Sequence, residues 1–414
     1  MARFAPWTLV ALCFALGVAS RSISDSFPVF VPALQQDFGA SRSSVTVIYS
    51  FALLMGGTGA PLAGWLLDRF GLRVLTVVGM TAAALATASA SLAGSLWQLY
   101  LGLGVVMGFA GASLSGVLNA SLIGRWFPPR RLGVALAAAW SASGVGAIVI
   151  YPLAEHMIAS AGWRHAYLVF SLASAAFVPF LLVLPWRRIE RGVANVAPHR
   201  LSAGGAIAGP TVGEAVRDWP FWALTSSFAF TSLGIFALSP QAMVYLLERG
   251  FDGAYAAGAL AVAGFLAPVG MIGFSWLADR GGRKLAALLA YAGSIAGVGA
   301  IALVQGPRDT FWLWMYVVLF GGSMGSRGPM ISALATLRYR GAHFGRIYGL
   351  ISIGMGIGGF LGAWIGGLLH DLTGGYAAVM IFSAASLAFA AASLGSEAGA
   401  RERLASRRLP LGEP

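Results

Sequence analysis

The sequence predicts an all-α membrane protein of twelve transmembrane helices in two pseudo-symmetric six-helix halves. Composition is the first of three observations behind this: 58% of the 414 residues are hydrophobic and only 10% are charged. A soluble domain carries about 25% charged residues. The second is a recurrence of apolar stretches near the 20 or so residues that cross a bilayer. They fall at 7–34, 43–67, 74–93, 96–123, 132–158, 166–185, 220–247, 254–277, 285–304, 310–338, 345–369 and 376–395. The third is an internal repeat. Gly64-Trp-Leu-Leu-Asp68-Arg69-Phe-Gly71-Leu-Arg73 returns 211 residues later as Ser275-Trp-Leu-Ala-Asp279-Arg280-Gly-Gly282-Arg283-Lys284. Like turns between like apolar runs mean two related halves.

Taken in order, the first span follows Arg3 and imitates a cleavable signal peptide at Gly17-Val-Ala-Ser20. Its removal would leave eleven spans and break the repeat, so it reads as a membrane helix. Spans 1 to 6 make an N-terminal half over 1–185. Residues 186–219 are the one long break in hydrophobicity, polar and Gly/Pro-punctuated, and read as a linker. Spans 7 to 12 make a C-terminal half over 220–395, and 396–414 is an Arg-rich tail.

The net charge of +12 is explained by topology rather than by nucleic-acid binding. With a cytoplasmic N-terminus, cytoplasmic segments hold 21 of the 27 Lys+Arg and the opposite side four. Without the long linker and the tail, 12 face four. The positive-inside rule then puts both termini in the cytoplasm, and the expected location is a cell inner membrane.

Two basic residues remain inside spans, Arg21 and Arg327. A charge at mid-bilayer costs roughly 2.5–3.5 kcal/mol on insertion scales and marks function by default. Arg21 lies about 21 Å along helix 1 from its cytoplasmic start. Arg327 lies about 16 Å from the cytoplasmic end of helix 10, so the two depths agree near the middle. Asp25, four residues after Arg21, is the one acid in a span interior and shares its helical face. It reads either as a proton-coupling carboxylate or as a structural partner of Arg21. Asn119, Tyr151, Gln241 and Tyr348 are further polar candidates for holding a substrate, and packing or interfacial roles account for them equally well. No histidine lies deep in a span, and no metal cluster, phosphate-binding loop or cofactor motif is present. The only lysine, Lys284, stands between Arg283 and Leu285, outside any Gly-Lys-Ser/Thr sequence.

With the duplicated D-R-x-G turn, twelve spans and central linker, the chain resembles the major facilitator superfamily over nearly its whole length. Arg125-Trp-Phe-Pro-Pro-Arg130-Arg131-Leu-Gly133, Phe344-Gly-Arg346-Ile-Tyr348-Gly349 and Gly366-Gly-Leu-Leu-His370-Asp371 look like monocarboxylate transporter-like and oxalate–formate antiporter-like bacterial members. The carboxylate carriers of that group have an arginine in helix 8 or a lysine in helix 11, and neither helix carries an interior positive charge here. The resemblance implies a monomeric secondary transporter working by alternating access, not an enzyme. Helices 1, 4, 7 and 10 would line its cavity. Asp68, Arg69, Arg73, Asp279, Arg280, Arg283 and Lys284 would form a latch that breaks when the cytoplasmic side opens. Its implied partners are a small organic anion, a monocarboxylate, and a coupling proton, with the anion held between Arg21 and Arg327. The alternatives are an exporter of an amphipathic drug or metabolite, which would use the aromatic residues of helix 7, and a transporter-like receptor.

Overall fold

The computed structural model describes residues 6–191 and 209–406, and among them every regular element is helical. Part of the expected linker, 192–208, and of the tail, 407–414, lies outside the described residues. All twelve spans are found. The first half comprises α1 (Pro6–Phe38), α2 (42–70), α3 (72–91), α4 (Leu96–Trp126), α5 (Leu132–Ala161) and α6 (Trp163–Val183). The second comprises α7 (Trp219–Glu248), α8 (Gly253–Gly281), α9 (Arg283–Ala302), α10 (310–338), α11 (Phe344–Thr373) and α12 (Ala377–Ser406).

Ten helices among the described residues are long and apolar enough to cross a membrane. The remaining spans are interrupted. Gly59 breaks α2 after the 17-residue piece Arg42–Thr58, and α10 is broken at Gly325 and Ser326. Breaks of this kind are tolerated in lipid where neighbouring helices and serine side chains satisfy the freed backbone groups. Ser326 does so, its hydroxyl donating to the Ser323 carbonyl at 2.7 Å.

The charged turns have one backbone solution in both halves. Gly71 has φ 83° and Gly282 φ 101°, the left-handed region where a side chain is strained. Each separates one helix from the next, α2 from α3 and α8 from α9, with almost no loop. This is why glycine stands three residues after Asp68 and three after Asp279.

Three spans carry a π segment: Val18–Ser22 in α1, Tyr100–Val106 in α4 and Val317–Gly321 in α10. Each is followed by a break, at Ser26, Ser115 and Gly325 respectively. A π segment re-aims side chains within an otherwise regular helix and is frequent at functional sites. These are three of the four helices expected to line a central cavity. The fourth, α7, runs 30 residues without a break and carries Pro240 inside it.

Candidate functional site

The repeated aspartates do the same thing in opposite directions. Asp68, at the end of α2, accepts hydrogen bonds from the backbone N–H groups of Gly345 (2.8 Å) and Arg346 (2.9 Å). These are among the first residues of α11, in the other half. Asp279, at the end of α8, accepts from Gly133 (3.2 Å) and Val134 (2.9 Å) at the start of α5, again in the other half. The first turn of a helix has unsatisfied N–H groups and a partial positive charge, so a carboxylate placed there is stabilised twice. The Arg346 Nε lies 4.0 Å from Asp68 Oδ2 and adds a weak ion pair.

The other latch candidates divide. Arg283 donates across the halves to the Pro129 carbonyl at 3.0 Å. Arg73 donates to the Leu182 carbonyl at 3.3 Å, within its own half. Arg69 lies over Trp65 and Phe70, Arg280 over Trp276, and Lys284 is exposed. Two crossing contacts were not foreseen. Arg340 donates to the Gly124 carbonyl at 2.6 Å, and the Thr336 hydroxyl to the Ala120 carbonyl at 3.5 Å.

Backbone contact reinforces these bonds. A Cβ on Gly64 would stand 2.0 Å from the Gly345 carbonyl oxygen, and one on Gly144 2.4 Å from Pro268 Cγ. The α2/α11 and α5/α8 crossings are thus as close as glycine permits.

Each half also ties down its own helix ends. Glu190, in the short helix Trp186–Arg191, accepts from the Leu72 N–H at 2.8 Å and so caps α3. Arg338 makes two bonds to Asp218 Oδ2, at 3.1 and 2.8 Å. Neither pair was singled out from sequence, since each joins residues more than 100 positions apart.

In the interior of the first half Asp25 is a junction. Its carboxylate accepts from the Tyr49 hydroxyl of α2 at 3.1 Å and from the Ser143 hydroxyl of α5. The Tyr151 hydroxyl donates to the Asp25 backbone carbonyl at 2.7 Å. Asp25 and Tyr151 are therefore brought together, with Tyr49 and Ser143 as members that sequence reasoning missed. Arg21 lies in the π segment, and its side chain is outside the described residues.

In the second half Arg327 is fully buried. Its guanidinium does not point across the seam. It turns onto α9, donating from Nη1 to the Ala290 carbonyl (2.9 Å) and to Ser294 Oγ (2.8 Å), over the Tyr291 ring at 5.0 Å. The Tyr291 hydroxyl in turn bonds Ser227 and Thr231 of α7. Arg327 Nε is buried with no partner, and no carboxylate among the described residues pairs with this guanidinium.

Between the halves, Trp140 of α5 stands against Gly328 of α10 and Gly116 of α4, where added Cβ atoms would meet its ring at 3.1 and 3.7 Å. Tyr348 of α11 reaches the same place. It is 1% exposed, and its hydroxyl shares a 2.7 Å bond with Ser332. Trp140 Nε1 and Asn119 Oδ1 are buried without partners, an arrangement that costs about 1–3 kcal/mol per group unless something else satisfies it. Gln241 is half-buried, its amide facing Gly367 of α11.

The architecture has counterparts. The profile of the Major Facilitator Superfamily matches residues 9–340. Monocarboxylate transporter 13 of Rattus norvegicus is 27% identical over 387 residues, covering 92% of this chain and 86% of that one. Human monocarboxylate transporter 11 is 27% identical over 395 residues, covering 91% and 79%. Among solved structures, a double-tryptophan variant of XylE superposes with a TM-score of 0.77 at 14% identity, over 95% of both chains. The chain belongs to the Major Facilitator Superfamily, and is a multi-pass membrane transporter rather than an enzyme.

Proposed function

We propose that the protein carries a small organic anion, of monocarboxylate type, by alternating access coupled to a proton. The halves 1–185 and 220–395 move against each other about the linker 186–219, with both termini on the cytoplasmic side of an inner membrane and the monomer as working unit. One observation supports the anionic substrate: Arg327, a fully buried positive charge, has dipolar partners but no carboxylate partner among the described residues. Burying a charge is tolerated when it is paired and costly otherwise. A substrate carboxylate is the missing partner, and it takes the guanidinium over from Ala290 and Ser294. That the similar proteins are monocarboxylate transporters supports the carboxylate class.

In this reading Arg21 supplies the second cation from α1, and Asn119, Tyr151, Gln241 and Tyr348 supply hydrogen bonds. Asp25 carries the proton. As a carboxylate it only accepts, and it holds α1, α2 and α5 together through Tyr49 and Ser143. Protonation makes one of its oxygens a donor and weakens it as an acceptor, which favours rearrangement of the Tyr49 or Ser143 bond. Proton uptake is thereby felt as a change in helix packing. The exporter alternative is less favoured, because Phe221 and Phe228 of α7 are buried and Phe230 packs at a tilt against Phe389 of α12 within the same half.

The test uses purified protein in liposomes with an inward proton gradient and labelled short monocarboxylates. Gradient-dependent uptake is expected in the wild type, with a fall of tenfold or more in Arg327→Ala, whose folding is followed by thermal unfolding. Movement of lipophilic compounds but of no acid, equal in both proteins, would sink this reading.

A further inference from the structure

At the end of the molecule that carries the latch, a cavity of about 550 Å³ opens where the halves meet. That size is typical of a small-ligand pocket, about 300–1,000 Å³. The first half contributes Trp7, Arg130 and Arg131, and the second contributes Trp276, Asp279 and Arg280. Asp279 is already engaged by the Gly133 and Val134 N–H groups. No ion pair among the described residues uses Arg130, Arg131 or Arg280. Three guanidinium groups therefore surround one carboxylate that is committed elsewhere.

The surroundings are those of the membrane–water boundary. Trp7 and Trp276 are each 48% exposed, and tryptophan concentrates at the headgroup level. Arg280 lies 4.6 Å over the Trp276 ring, which fixes its fork at the cavity wall. Arginine forks match the geometry of phosphate oxygens, and basic pockets between membrane helices take lipid headgroups.

We propose that this cavity binds the phosphate group of an anionic phospholipid, seated across the seam between the halves. Arg130, Arg131 and Arg280 hold the phosphate, while Trp7 and Trp276 flank the glycerol and upper acyl region. The cavity exists only while α5 and α8 are in contact, so the bound lipid favours the arrangement in which this end is shut. None of this depends on which solute is carried.

The experiment is native mass spectrometry of the purified, delipidated full chain titrated with phosphatidylglycerol, with phosphatidylcholine as control. Arg130→Gln/Arg131→Gln is compared with wild type, and Arg280→Gln gives an independent variant from the other half. All three side chains are exposed, and unchanged thermal unfolding confirms folding. The expected result is a weakening of phosphatidylglycerol binding by about thirtyfold in Arg130→Gln/Arg131→Gln and about fivefold in Arg280→Gln, with phosphatidylcholine retention unchanged. Equal phosphatidylglycerol binding in all three proteins would overturn the proposal. So would displacement of the lipid by excess inorganic phosphate that itself binds with the same arginine dependence, which would give the site to a soluble phosphate.

Discussion

At the latch end, acceptors in one half meet donors in the other: Asp68 on α11, Asp279 on α5, Arg283 on the Pro129 carbonyl and Arg340 on the Gly124 carbonyl. At the opposite end the side-chain pairs seen among the described residues stay within one half. Arg164 pairs with Asp37 at 2.8 Å inside the first half. The Tyr376 hydroxyl donates to Glu248 at 3.0 Å, and Arg249 to Gln305 at 2.9 Å, inside the second. Bonds within a half move with it, whereas bonds across the seam must break for the halves to separate. Under the alternating-access reading proposed above, one end shuts and releases while the other keeps each half rigid.

The sharpest way to break this contrast is steric. Gly64→Val puts a branched side chain where even one Cβ would stand 2.0 Å from the Gly345 carbonyl. The α2/α11 crossing is then unable to form. Transport is expected to fall below detection, while a cysteine introduced beside the seam at this end becomes freely labelled.

Removing charge instead of adding bulk is milder. Asp68→Asn keeps the shape but loses the charge that favours the α11 N-terminus, and hydrogen bonds to charged groups are worth about 1.5–3 kcal/mol. A fall in uptake of about tenfold is expected, with little change in thermal stability. Asp279→Asn should match it, and the double variant should be worse than either alone. Unchanged uptake in Asp68→Asn would remove that residue from the latch.

The smallest effect sharpens the other side of the comparison. Asp37→Asn breaks an ion pair whose side chains are 45% and 39% exposed. Exposed pairs contribute about 0–1 kcal/mol. Uptake within twofold of wild type is expected, and a tenfold loss would show that the outer end also takes part in gating.

Much of this was legible before any coordinates. The repeated turn marked Asp68 and Asp279, and the lengths of the apolar runs placed the spans, although the last helix continues to Ser406 through residues expected to be tail. The partners of the aspartates were not legible. They are backbone N–H groups, which every helix start has, and they lie 277 and 145 positions away. Arg327 was found because a charge in an apolar run is conspicuous. Its orientation toward α9 was not, since the groups that turn it are a carbonyl, a serine and a ring face. Ser143 and Tyr49 look like ordinary helix residues until three helices bring them to one carboxylate. Trp140 and Gly328 gain meaning only from the seam they share.

The duplication of the aspartate cap has a consequence for energetics. The two caps sit at separate crossings, α2/α11 and α8/α5, and energies of well-separated sites add. At about 1.5–3 kcal/mol each, together they weight the shut arrangement by roughly 10²- to 10⁴-fold. In the alternating-access cycle proposed above, the protein passes through the opposite arrangement once per turnover. Its ligands can supply the difference only by binding that arrangement more tightly by a similar factor. Two modest caps thus set a threshold: a solute that binds both arrangements equally occupies the protein without moving through it.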